Sequence, residues 1–81
     1  MENNFNKKAL EKLPPQNIEA EQSLLGSLLI DKDSITKIAD IIMADDFYQN
    51  AHTTIYNTIL ELYEKKDPID LLSLSSRLEE L

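Results

Sequence analysis

The 81 residues hold few groups able to make or break a covalent bond. There is one histidine, His52, and no cysteine. His52 follows Asp45 and Asp46, but no serine sits on the strained strand-to-helix elbow that a nucleophile needs. A lone His at the start of a helix reads as a packing or hydrogen-bonding residue. The acidic run around Asp31 and Asp33 lacks the glycine and the terminal bidentate glutamate of a calcium loop, so these two read as helix-end and capping residues. The one glycine, Gly26, lies inside a helical pattern, with no glycine-rich neighbourhood to cradle phosphate. No metal and no cofactor are expected in this chain. The group that stands out is Glu21. At about 100° per residue, Ile18, Ala20, Leu24, Leu25, Leu28 and Leu29 share one helix face, and Glu21 falls near its middle. An unpaired carboxylate there would cost several kcal/mol or become protonated. In one reading Glu21 accepts hydrogen bonds from His52, Tyr56 or a free backbone N–H. In the other it faces a groove that a partner or a neighbouring subunit fills. The first is preferred, because buried polar groups usually find internal partners.

The elements that would position these residues are helical. The spacing predicts a first helix over 18–30, with Asn17 as its cap and Glu19 and Glu21 at the positive end of its dipole. A second helix is predicted over 34–43, with Asp33 as cap and Ile35, Ile38, Ala39 and Ile42 at i, i+3, i+4, i+7. A connector holds Phe47 and Tyr48. A third helix is predicted over 51–65 with Asn50 as cap, closed by Lys65 and Lys66 before Asp67-Pro68. A fourth is predicted over 71–81, capped by Asp70, with Leu71, Leu74, Leu78 and Leu81 on one face. The expected class is all-α, a small bundle of about four to five short helices. Leu25, Leu28, Ile38, Phe47, Tyr48, Ile55, Tyr56, Ile59, Leu74 and Leu78 are its candidate core, the aromatics supplying large buried area.

Residues 1–16 read as a flexible leader ended by Pro14-Pro15, and 17–81 as one domain. Such a domain, without staples, is usually stable by about 3–5 kcal/mol. No apolar run approaches the roughly 20 residues that span a membrane, and a cytoplasmic protein is the default expectation. The net charge is −7. Residues 1–13 carry Lys7, Lys8 and Lys12 against Glu2 and Glu11, a balance of +1, which leaves −8 on the rest. A body this acidic repels phosphate backbones and suits a basic protein partner. The candidate partner surface is the acidic turn Asp31–Asp33 with Arg77, Glu79 and Glu80 on the outer face of the fourth helix. The fourth helix reaches Leu81 without a Gly, Asn or Pro stop signal, which reads as a cut inside a longer protein or a face that needs a neighbour.

Two resemblances bear on function. Asp33-Ser34-Ile35, opening a helix in a small acidic helical domain, is similar to the Asp-Ser-Leu of acyl carrier proteins, which implies phosphopantetheine on Ser34. The rest of the carrier pattern around the serine is absent. A free-standing helical adaptor is a third possibility. The second resemblance is longer. "LPPQNIEAEQSLLGSLLID" and "ADDFYQNAHTTIYNTILELYEKKDPIDLLSLSSRL" carry Pro14-Pro15, Glu19-Ala20-Glu21-Gln22, Leu25-Gly26, Asp46-Phe47-Tyr48, His52, Ile55-Tyr56, Leu62, Ile69-Asp70, Leu74 and Leu78. In this order and spacing, over 13–81, they resemble the N-terminal domain of bacterial replicative DNA helicases of the DnaB type. That resemblance implies a helical collar domain ahead of a helical hairpin, a linker and a RecA-like motor. It implies a six-subunit ring, docking of the C-terminal domain of primase, and 5′-to-3′ unwinding driven by ATP and Mg in the motor. The 81 residues contain no GxxxxGK[ST] phosphate loop, so no helicase activity is expected of this chain by itself.

Overall fold

A computed structural model describes residues 16–31 and 33–81. The leader expected over 1–16 lies outside the described residues except for Gln16. The elements are α1 (Ile18–Ile30), α2 (Ser34–Ile38), a 3₁₀ turn (Ala44–Asp46), α3 (Asn50–Glu64) and α4 (Leu71–Glu79). There is no strand among the described residues, and the fold is the expected small all-α bundle.

Capping fixes where these helices start, and twice the expected side chain does not cap. Asn17 Oδ1 accepts the Ala20 N–H at 2.9 Å, and Asp70 Oδ1 accepts that of Ser73 at 2.8 Å, each satisfying a first-turn donor. Asp33, by contrast, makes no side-chain cap, because its backbone is already helical (φ −73°, ψ −19°). Asp31 organises that turn instead. Its Oδ1 accepts the Asp33 N–H at 3.1 Å, and its carbonyl accepts the Ser34 N–H at 3.0 Å and the Ser34 hydroxyl at 2.6 Å. The cap residue of α3 is Gln49 rather than Asn50, and its side chain does not cap.

The second helix stops at Ile38, five residues short of the predicted Met43. β-branched isoleucines hold a helix weakly, and two contacts draw the chain away. The Ile42 carbonyl is taken by the Tyr56 hydroxyl at 2.7 Å. The Met43 N–H goes to Asp46 Oδ2 at 2.8 Å, with Met43 extended at φ −98°, ψ 156°. Ile42 still reaches the core.

The core draws Leu24, Leu25 and Leu28 from α1, Ile35 and Ile38 from α2, Tyr56, Ile59 and Leu62 from α3, Leu74 from α4, and Ile42, Phe47 and Ile69 from the connections. Ile55 and Leu78 pack against it half-buried. Tyr48 is a correction: it is 58% exposed, because its neighbour Phe47 takes the inward position. The leucine face of the fourth helix is also narrower than predicted, since Leu71 and Leu81 are exposed and the helix ends at Glu79. Arg77 fastens α4 to α3, donating to both carboxylate oxygens of Glu61, and bonds Glu80 at 2.7 Å.

Helix α3 ends in a tight left-handed turn. The Lys66 N–H reaches the Tyr63 carbonyl and the Asp67 N–H reaches that of Leu62, the two bonds of a Schellman motif. Lys66 occupies the left-handed position, φ 61°, where a side chain costs about 1–2 kcal/mol and glycine is normal. Gly26 is the converse case. A Cβ added there would meet nothing within 4 Å, so glycine costs helix stability without a steric reason in this chain. Lys66→Gly and Gly26→Ala are each expected to stabilise the fold by about 0.5–1 kcal/mol. Thermal melts followed by circular dichroism should show each variant above the parent, by about 2–8 °C for a domain of this size.

Candidate functional site

Helix α1 buries Glu21 completely, at 0% exposure, beside Leu24, Leu25 and Leu28. Its carboxylate crosses to the start of α3. Oε2 accepts the Tyr48 N–H at 2.6 Å, and Oε1 accepts the Gln49 N–H at 3.3 Å. Oε1 also lies 2.7 Å from His52 Nδ1. A carboxylate can only accept, so Nδ1 carries the hydrogen in this pair. A helix leaves its first N–H groups without intrahelical partners. Here α3 has no side-chain cap of its own, and a carboxylate from another helix holds the N–H groups of its cap residue Gln49 and of Tyr48 just before it, together with the His52 ring in its first turn.

The surroundings complete the arrangement. Phe47 stands edge-on to His52, ring centroids 6.4 Å apart, and leans on Tyr56 at 5.0 Å. Among the described residues no buried side-chain nitrogen or oxygen lacks a hydrogen-bond partner. Burial pushes the Glu21 carboxyl up, but the His52 hydrogen bond, the Tyr48 and Gln49 N–H groups and the charge of His52 together outweigh it, and the carboxyl lies below its ordinary value. Burial, reinforced by the charge of Asp46, pushes the Tyr56 phenol up to about 12. Tyr56 is therefore a neutral donor, and its partner is Ile42, so it is not a donor to Glu21.

Chemically this is a closed site. Both Glu21 oxygens are occupied, and three surface clefts are lined by other residues. Among the described residues no group of three His, Cys, Asp or Glu could hold a metal ion. Glu21 and His52 are thus brought together as a structural pair. Asp31, Asp33, Glu79 and Glu80 are exposed, whereas Arg77 is half-buried and engaged by Glu61 and Glu80. Asp33 lines a cleft with Tyr63 and Pro68, and Arg77 and Glu80 line a second one. The Ser34 hydroxyl donates to the Asp31 carbonyl. The donors that sequence reasoning left unnamed are the N–H groups of Tyr48 and Gln49. The available signal was a helix start preceded by Gln49, a poor cap.

Fold and site together define a small all-helical domain built around a buried, fully bonded carboxylate. Residues 13–81 match the family model described as the DnaB-like helicase N-terminal domain, and the chain belongs to that family. It is 41% identical over 68 residues to the replicative DNA helicase DnaC of Bacillus subtilis (strain 168), covering 84% of this chain and 15% of the relative. It is 46% identical over 68 residues to the replicative DNA helicase DnaB of Synechocystis sp., covering 84% and 8%. The DnaB helicase of Geobacillus stearothermophilus is 35% identical over the same length, covering 84% and 15%. No solved structure matches the chain. The similarity to acyl carrier proteins has no support in these matches.

Two expectations follow from the Glu21 geometry. Glu21→Ala strands two backbone donors and His52, and should cost about 3–5 kcal/mol, enough to unfold much of the population; Glu21→Gln retains one acceptor and should cost about 1–3 kcal/mol. Denaturant unfolding at neutral pH checks both. A carboxyl held below its ordinary 4.5 adds stability above that pH and loses it as pH falls through the lower, folded-state value. Acid titration of the parent should therefore show a loss of stability below about pH 4.5 that is smaller in Glu21→Gln.

Proposed function

We propose that this chain is a protein-interaction module of a replicative DNA helicase: the N-terminal collar domain of a ring of six subunits, which docks the C-terminal domain of primase and helps the ring assemble. The chain spans 15% or less of the relatives cited above, and the unwinding, with its ATP and Mg, belongs in this reading to a motor domain of the parent protein in the cytoplasm. One observation carries the proposal. Among the described residues, the buried acid Glu21 is spent inward, on joining α1 to the start of α3, so what remains for function is surface. That surface is acidic, which opposes direct contact with nucleic acid and favours a protein. Among the described residues, no helix is long and apolar enough to cross a membrane.

Titration of the isotope-labelled chain with the C-terminal domain of a bacterial primase, followed residue by residue by NMR, tests this. Localised, saturable shifts are expected. Their absence with a primase known to bind its own helicase would count against the module acting alone.

A further inference from the structure

We infer that the cleft between the Ala39–Asp45 connection and α3 docks a Lys- or Arg-bearing amphipathic helix of a partner protein. The inference rests on the interaction-module reading and gives it a place. The cleft measures about 230 Å³ and is lined by Ala39, Ile42, Met43, Ala44, Asp45, Asn57 and Leu60. Met43, at its lip, is 62% exposed, and Ile41 and Tyr48 on the same stretch of chain are 38% and 58% exposed. Exposed apolar side chains grouped on one short segment mark contact surfaces more often than isolated ones do. A methionine suits such a role, since its unbranched thioether adapts to the shape of an incoming side chain.

Charge selects the occupant. From Ile38 through Gln49 the sequence has no Lys or Arg, while it carries Asp40, Asp45 and Asp46. Two further clefts differ in this respect, one holding Lys66 and the other Lys65 and Arg77. A largely apolar cleft with Asp45 in its lining and no Lys or Arg among its lining residues complements a helix with an apolar face and basic flanks. Nucleic acid would be repelled. A second copy of this chain would bring the same carboxylates against themselves. The cleft is also preformed, because Asp46 holds the Met43 N–H and Tyr56 holds the Ile42 carbonyl. Little ordering is then needed on binding.

The probe is a synthetic 18-residue amphipathic helix of Leu and Lys, with a Leu and Glu counterpart as control, titrated into the labelled chain. Saturable shifts centred on 39–45, 57 and 60 are expected with the Lys peptide and none with the Glu peptide. Met43→Asp and Asp45→Lys should each weaken binding at least tenfold, with shifts in the rest of the domain unchanged, whereas Glu79→Lys should leave affinity as it was. Shifts spread over the whole acidic surface, or full affinity in Met43→Asp, would overturn the cleft. The primase titration separates the two readings. Primase binding without saturable, localised binding of the Lys peptide removes the cleft and leaves the module standing. Localised binding of the Lys peptide without any primase binding removes the primase reading and leaves the cleft.

Discussion

The bundle depends on one carboxylate satisfying the start of a helix to which it does not belong. Glu21 leaves water entirely, a step that is unfavourable unless its oxygens are fully bonded. The N–H groups of Tyr48 and Gln49 and the imidazole of His52 provide those bonds. The benefit is mutual, since α3 has no side-chain cap of its own. Around this junction the apolar residues arrange themselves simply. The leucines of α1 meet Tyr56 and Ile59 of α3, Phe47 covers the His52 ring, and the isoleucines of α2 and its exit close the remaining side. Remove the carboxylate and two helices lose their common fastening.

Much of this was legible in the residues. Helices α1, α3 and α4 follow apolar spacing that only a helix satisfies, and Asn17 and Asp70 are side chains that accept first-turn N–H groups. Glu21 was recognisable as an anomaly, and His52 as a candidate donor, because an acid on a leucine stripe has few tolerable explanations. What stayed hidden was long-range or backbone-borne. The exit of α2 at Ile38 is set by a tyrosine hydroxyl from α3, which no local propensity encodes. Phe47 and Tyr48 are adjacent aromatics, and their opposite fates depend on which of them the backbone turns toward His52. The two amide donors to Glu21 carry no side-chain signature at all.

The surface follows a different logic from the interior. Arg77, which in sequence looks like a free charge on an outer face, clasps Glu61 across two helices; Arg77 raises its affinity for the proton in doing so, and Glu61 becomes a stronger acid. Exposed pairs of this kind add little stability in themselves, but they remove a cation from the surface available to a partner. The cations at 65, 66 and 77 thus sit together at one end of α3, while the connection between α2 and α3 is left purely acidic.

Tyr48 joins the two regions. Its ring lies largely in solvent, yet its amide is tied at 2.6 Å to the most deeply buried acid among the described residues. Position 48, and position 49 beside it, are therefore constrained through the main chain and not through the side chain. Their side chains can change with whatever the surface meets, provided the residue keeps an N–H to give. Proline, which has none, is the substitution that this geometry forbids at both positions.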